Sequence, residues 1–183
     1  MAVPIQLQNI AYRFCLVNGK IPLEKGWQHT NNYPFNHPKL CQHQNKGNYG
    51  VLGGYGHLLI LDFDNAEAQY KTLPQLPETF AVKTGGKGLL HLYYIADDCT
   101  SWKVIANDKS TIADIQGTGK QVVAPGSIND ETRRHYEVVR NLPLAHIKAE
   151  KLREVFAEYN ISNAKLKNTQ PKSSKPFRTI QGF

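Results

Sequence analysis

Hydrophobic residues are grouped in short runs along the chain, and two of these runs have the composition of buried strands. Residues 56–64 form an apolar run that ends in Asp62-Phe63-Asp64, and residues 89–95 form a second run that contains His91. Continuous apolar runs of this length are typical of central strands. Because side chains alternate along a strand, we expect Asp62 and Asp64 to point to one face of the sheet and Phe63 to the other.

The remaining pattern mixes helical and strand periods. We predict a mixed α+β domain rather than a doubly wound parallel sheet, because most of the strands are short and several are joined by turns. The predicted helices are 5–14, 65–73 and 145–159, and the further predicted strands are 15–17, 79–82, 111–116, 121–124 and 136–139. The predicted loops are 25–50, which can include one short helix, and 97–108. Residues 111–116 and 121–124 are expected to pair as a hairpin through the glycine-containing turn 117–120.

Charge and composition narrow the class of protein. The chain has 22 basic and 15 acidic residues, but five of the basic residues lie beyond Glu158, the last acidic one, so residues 1–160 carry only +2. A basic tail of this kind binds polyanions weakly, or it serves as a linker. The sequence has no run of membrane-spanning length, no signal-peptide pattern and three dispersed cysteines. We therefore expect a soluble cytoplasmic protein with no membrane association and no disulfide framework.

Three carboxylates are candidate metal ligands. Asp62 and Asp64 would lie side by side at a strand end, and Asp114 follows the apolar Ile112-Ala113 near the end of another predicted strand. Like charges this close repel each other, and hard divalent cations offset that repulsion well. The simpler alternatives are that Asp64 and Asn65 cap the next helix and that Asp114 caps a turn.

A glycine-rich turn, residues 84–88, opens directly into the strand that carries His91. Backbone N–H groups in such a turn can bind an anion, and Lys87 adds positive charge. Thr84 and Gly86 belong to the same turn. The turn lacks Walker A spacing and does not lead into a helix. An ordinary hairpin turn beside a hydrogen-bonded core histidine is the alternative interpretation.

In this order, the three segments resemble the primase–polymerase domain of the archaeo-eukaryotic primase superfamily, of the type found in archaeal plasmids and phages. The segments are Leu-Asp-Phe-Asp (61–64), Gly-Gly-Lys-Gly-Leu-Leu-His-Leu-Tyr-Tyr (85–94) and Ala-Asp-Ile-Gln-Gly-Thr-Gly-Lys-Gln-Val-Val-Ala-Pro-Gly-Ser (113–127). The resemblance covers about residues 10–157. It implies an RRM-like catalytic sheet with a smaller N-terminal αβ unit. On this basis we expect residues 1–160 to be the catalytic domain. Residues 161–183 lack apolar periodicity and are rich in Asn, Lys, Ser and Thr, so we expect them to be a basic linker or disordered tail.

The resemblance also implies a mechanism. Asp62, Asp64 and Asp114 would be the catalytic metal ligands for Mg²⁺ or Mn²⁺, with two ions expected. His91 would contact the phosphates of the incoming nucleotide, together with the turn residues Lys87, Gly86 and Thr84. The implied activity is template-directed addition of dNTPs or NTPs to a 3′-hydroxyl, as a DNA primase, a DNA polymerase or both.

The implied partners are single-stranded or primed DNA and, in addition, a helicase or a helical accessory domain, with the chain itself a monomer. Leu89 stands where the family often has a small polar residue, two positions before the histidine. A non-catalytic replication-initiator or single-stranded-DNA-binding domain of the same fold is the alternative function.

Overall fold

The computed structural model describes residues 2–163, which fold into two β-sheets with three short α-helices. Asn65 begins the second helix as its N-cap, where its side-chain oxygen accepts a hydrogen bond from the backbone N–H of Ala68. The helices are α1 (Pro38–His43), α2 (Ala66–Thr72) and α3 (Ala149–Val155), with single 3-10 turns at Ile5–Leu7, Tyr55–His57 and Leu73–Gln75. The strands are β1 (Phe14–Asn18), β2 (Ile21–Pro22), β3 (Asn48–Leu52), β4 (Leu58–Phe63), β5 (Ala81–Lys83), β6 (Leu90–Ala96), β7 (Trp102–Ile105), β8 (Thr111–Gln116), β9 (Gln121–Val123), β10 (Glu137–Arg140), β11 (Ala145–Ile147) and β12 (Asn160–Asn163).

The larger sheet has the strand order β10-β5-β6-β4-β8-β7-β12, and β11 pairs with the end of β6 that β5 leaves free. Only the β11–β6 pair is parallel among the strand pairs of this sheet in the described residues. β4 therefore lies between β6 and β8, near the centre of the sheet. This position explains the apolar composition of β4, because a central strand is covered on both faces.

The smaller sheet has the order β2-β1-β3-β9. β1 and β2 form a tight hairpin in which Gly19 takes a left-handed φ of 58°. β9 comes from much later in the chain and pairs with β3. The smaller sheet thus combines three N-terminal strands with β9, which follows β8 of the larger sheet along the chain.

The two faces of β4 pack against different cores. Leu59, Leu61 and Phe63 contact the helical side, which includes Leu152 and Phe156 of the segment around α3. The opposite face contacts the smaller sheet, through Leu58 and Ile60 together with Phe14, Tyr49 and Val122. Asp62 continues the Leu58–Ile60 row, so it lies on the face that looks toward the smaller sheet.

Several sequence predictions are confirmed. The mixed α+β class, the buried strand that leads to Asp62 and the short helix that ends before Pro74 are all present. The strand after the glycine-rich turn is β6, and the strand predicted at 111–116 is β8. No described helix has both the length and the apolar character needed to cross a membrane.

Other predictions are wrong. The helix predicted at 5–14 is a single 3-10 turn, because Phe14 is recruited into β1 and exchanges backbone hydrogen bonds with Tyr33. Ile10, which lies within this predicted helix, is 61% exposed. The first part of the helix predicted at 145–159 is β11, since its backbone pairs with β6.

The predicted loop at 97–108 contains β7, and the predicted hairpin of 111–116 with 121–124 does not form. β8 pairs with β4 and β7, whereas β9 pairs with β3 in the other sheet. The turn 117–120 carries the chain between the sheets instead of reversing it. Of the predicted tail, residues 161–163 continue β12, and the rest lies outside the described residues.

A glycine contact joins the two sheets. A side-chain carbon on Gly53 would lie 2.2 Å from the carbonyl oxygen of Gln116 and 2.6 Å from that of Gly117. The Gly53 N–H donates to the carbonyl oxygen of Lys120 at 3.1 Å. Close approach of backbone to backbone at this position leaves no room for a methyl group.

We therefore expect Gly53→Ala to lower the free energy of unfolding by about 2 kcal/mol, because backbone would have to move at the junction of the sheets. The measurement is urea unfolding followed by fluorescence. Gly86→Ala is the control, since its added carbon would lie 3.4 Å from the nearest heavy atom, Asn129 Nδ2. Equal stability of the two variants would contradict the close contact at Gly53.

Candidate active site

Four polar side chains form a row across four neighbouring strands. In the sheet register, His91 of β6 lies opposite Asp62 of β4, Asp62 lies opposite Asp114 of β8, and Asp114 lies opposite Lys103 of β7. Directly opposed residues in antiparallel strands point to the same face. We call these four residues the polar row. Two carboxylates lie in the middle of the row, with the imidazole of His91 at one end and the amino group of Lys103 at the other.

His91 is the most buried member of the row, with 4% of its surface exposed. Its Nε2 lies 3.1 Å from Asp62 Oδ1, and its ring lies beside those of Tyr93 and Tyr136. Its other nitrogen, Nδ1, is buried and has no hydrogen-bond partner among the described residues. A buried nitrogen without a partner is costly for the folded state, so its presence here suits a group that a ligand satisfies.

Asp114 and Lys103 form the other end of the row. Lys103 Nζ lies 3.1 Å from each carboxylate oxygen of Asp114. Burial raises the pKa of the Asp114 carboxyl; hydrogen bonding and attraction from Lys103 oppose that rise, and repulsion from Asp62 and Asp64 adds to it. The net shift of the Asp114 pKa is upward, chiefly because burial makes the ionised carboxyl unfavourable, and the neighbouring carboxylates add a smaller contribution.

Asp64 follows β4 and is held near the glycine-rich turn. Lys87 Nζ lies 3.2 Å from Asp64 Oδ1 and 3.0 Å from the Asp64 carbonyl oxygen. The backbone N–H groups of Asp64 and Asn65 both donate to the Ile112 carbonyl oxygen, which ties the end of β4 to β8. The helix-capping interpretation is also right in part, because Asn65 caps α2, while the Asp64 side chain turns to Lys87 instead.

The glycine-rich turn packs against the segment 129–134. A side-chain carbon on Gly85 would lie 2.5 Å from the Arg134 carbonyl oxygen. Asn129 organises this segment, since its Oδ1 accepts hydrogen bonds from the backbone N–H groups of Glu131 and Thr132. The Thr132 hydroxyl donates to the carbonyl oxygen of Gly85. Residues 129–134 therefore fix the position of the turn beside the polar row.

An open cleft of about 390 Å³ lies between the two sheets, a volume within the usual range for ligand sites. Six of the seven predicted site residues line it: Asp62, Asp64, Thr84, Gly86, Lys87 and His91. We call it the His91 cleft. Asp114 lines a second groove of about 190 Å³ at the other end of the row. We call it the Lys103 groove, and its lining residues are Ser101, Trp102, Lys103, Asp114, Ile115, Gln116, Lys120 and Ser162.

Sequence reasoning missed several residues at this site. Lys20 and Val123 bring the smaller sheet to the His91 cleft, and Tyr136 and Asn129 form another wall. Lys103 was missed because it fell in a predicted loop. Its signal was available, since Trp102 and Val104 alternate with Lys103 in the pattern of a half-buried strand.

The donor set has the chemistry of a site for Mg²⁺ or Mn²⁺, which favour carboxylate oxygens. Asp62 and Asp114 are neighbours in the sheet, and the repulsion at Asp114 is of the kind that a cation relieves. The described residues contain no group of three acidic, histidine or cysteine side chains already arranged around one point. Lys87 and Lys103 hold Asp64 and Asp114 instead, so cation binding would require these two carboxylates to turn away from their lysines.

Comparison with known families gives one match. A family model described as "Bifunctional DNA primase/polymerase, N-terminal" (Prim-Pol) matches residues 7–150. The matched range contains the whole polar row, the glycine-rich turn and most of both sheets. No curated protein matches the chain.

The raised pKa of Asp114 predicts that Asp114→Asn stabilises the fold at pH 7. A carboxyl whose folded-state pKa is raised costs stability when ionised; that cost is complete above the folded pKa and disappears below the unfolded one. The gain should therefore shrink as the pH falls toward about 4. Urea unfolding at both pH values measures it.

Asp108→Asn is the control, and it should change the free energy of unfolding at pH 7 in the opposite direction. Hydrogen bonds from the Ser110 hydroxyl and backbone N–H lower the pKa of Asp108, so its ionised form contributes stability at neutral pH that is lost in acid. Destabilisation by Asp114→Asn at pH 7 would contradict the raised pKa of the Asp114 carboxyl.

Proposed function

The chain belongs to the Prim-Pol family of bifunctional DNA primases/polymerases, and from that premise we propose that it adds nucleotides to a 3′-hydroxyl on a DNA template by a two-metal mechanism. The family implies a DNA template and nucleotide substrates. In this proposal the larger sheet is the RRM-like catalytic sheet, and the smaller sheet supplies the opposite wall of the cleft.

The polar row carries the proposal. Asp62 and Asp114 are directly opposed on neighbouring strands, and Asp64 lies close enough to influence the carboxyl of Asp114. A fold gains little stability from a cluster of carboxylates at a sheet centre, so a functional role is the simplest reason for their presence. Asp62, Asp64 and Asp114 would hold Mg²⁺ or Mn²⁺, which supply charge stabilisation to the attacking and leaving oxygens.

The residues of the His91 cleft would hold the nucleoside triphosphate. The free Nδ1 of His91 can donate to a phosphate oxygen while Nε2 donates to Asp62, which requires an imidazolium ring. Lys87 and the backbone N–H groups near Thr84 and Gly86 add positive potential. These groups orient the triphosphate and offset the charge of its leaving diphosphate.

We further propose that the chain acts as a monomer and that a helicase or helical accessory domain assists it when it initiates strands. Extension of an existing primer needs only the groups described above, so it is the activity to test first.

We expect Asp62→Asn and Asp114→Asn each to reduce nucleotide incorporation on a primed DNA template by at least about a hundredfold, since each removes a charged ligand. Incorporation is measured with Mg²⁺ and Mn²⁺ separately, with dNTPs and NTPs. Glu150→Gln is the matched control, because Glu150 is exposed on α3, on the helical side of the sheet. Full activity in either Asp variant, with the fold intact, would exclude the metal role.

His91→Ala should raise the KM for the nucleotide by roughly tenfold to a hundredfold, the usual cost of a lost hydrogen bond to a charged group. Steady-state extension at varied nucleotide concentration measures this change. His146→Ala is the control, since His146 is exposed on β11. An unchanged nucleotide KM in His91→Ala would assign His91 to the core rather than to the substrate.

One observation favours a second function, a non-catalytic replication-initiator or single-stranded-DNA-binding domain of the same fold. Asp64 and Asp114 are already paired with Lys87 and Lys103, so these two carboxylates have cationic partners without any metal. Tight DNA binding by the full chain, with no incorporation in Mg²⁺ or Mn²⁺, would support this alternative.

A further inference from the structure

The Lys103 groove lies at the opposite end of the polar row from the His91 cleft. The row runs His91, Asp62, Asp114, Lys103 across the sheet, the His91 cleft contains Asp62, and the Lys103 groove contains Asp114. The two cavities therefore lie at opposite ends of the row, and each is lined by one of its two carboxylates. The proposed function uses only the first of them.

The geometry of phosphoryl transfer gives the second cavity a use. In an in-line displacement, the attacking and leaving oxygens lie on opposite sides of the phosphorus. If the triphosphate lies against His91 and Lys87, the leaving diphosphate occupies that side. The attacking 3′-hydroxyl must then approach from the side of Asp114 and Lys103.

The groove has the charge and the rigidity to receive a strand. Lys103 and Lys120 both line it, and Asp114 is the single acidic residue among the described residues that do so; Trp102 and Ile115 add apolar lining. Lys120 forms no ion pair with any residue in the range 2–163. Ser101 Oγ accepts from the Gly117 N–H and donates to the Thr118 carbonyl oxygen, each at 3.0 Å, which fixes the turn that carries Lys120.

We propose that the Lys103 groove binds the 3′-terminal nucleotide of the strand being extended, with Lys103 and Lys120 contacting its backbone phosphates. This inference rests on the proposed function. Occupation of Asp114 by a cation would release Lys103 from the 3.1 Å ion pair and free its ammonium for a phosphate. A groove of about 190 Å³ suits one sugar–phosphate unit, whereas the larger His91 cleft suits a nucleoside triphosphate.

A third cavity is a less suitable place for the 3′ end. It is lined by Lys83, Arg134 and His135, and it shares Thr84 and Tyr136 with the His91 cleft. It therefore adjoins the side of the proposed leaving group, away from Asp114. A terminal hydroxyl there would have no in-line path to the nucleotide.

The test uses the full chain and a primed DNA template with Ca²⁺ and no nucleotide. Lys103→Gln and Lys120→Gln should each weaken binding about fivefold and reduce the slope of log affinity against log salt by about one, as expected for a lost phosphate contact. Lys148→Gln removes the same charge from an exposed residue before α3 that makes no side-chain cap, and it should bind like the wild type.

A primer that ends in 4-thiothymidine reports the position of the terminus directly. Its photo-cross-link should fall within residues 101–120. Cross-linking to 83–88 or 125–138, or lysine variants that bind like Lys148→Gln, would overturn the inference while wild-type incorporation remained intact. A wild type that cross-links at 101–120 but never incorporates nucleotides would instead overturn the proposed function and leave the groove as a strand-binding surface.

Discussion

The repulsion between Asp62 and Asp114 is the constraint on which the rest of the site depends. Sheet register holds the two residues directly opposite each other on neighbouring strands, so their backbones stay adjacent for as long as β4 pairs with β8. His91 and Lys103 flank them and reduce the cost, yet the pKa of Asp114 remains raised because burial and neighbouring carboxylates outweigh Lys103. This residual cost is what a divalent cation would relieve.

The two-sheet architecture makes this arrangement tolerable. β4 is anchored on both faces: Leu59 and Leu61 pack toward the helices, and Leu58 and Ile60 pack against the smaller sheet. Burial of these side chains contributes several kcal/mol, which offsets local repulsion at the end of the strand. The smaller sheet also closes the His91 cleft, so the same packing that stabilises the strand creates a concave site beside the carboxylates.

The sequence predicted the parts of the site that depend on local pattern. An apolar run identifies the strand that leads to Asp62, and the alternation of side chains along that strand gives the face of the sheet on which Asp62 lies. The register of the strands could not be predicted from the sequence, because no local pattern around Asp114 indicates that it pairs with Asp62. The turn 117–120 has hairpin composition but passes between sheets, because β9 finds its partner in β3. Lys103 was missed because its segment was assigned to a loop, although Trp102, Lys103 and Val104 alternate as in a half-buried strand.

The most direct test of the account is Mn²⁺ binding to the full chain, measured by electron paramagnetic resonance for wild type, Asp62→Asn, Asp114→Asn and the double variant. Two carboxylates that share an ion are one unit, so each single variant should lose nearly as much affinity as the double. Single variants that keep the wild-type Mn²⁺ affinity would contradict a shared cation, and with it the proposed catalytic centre.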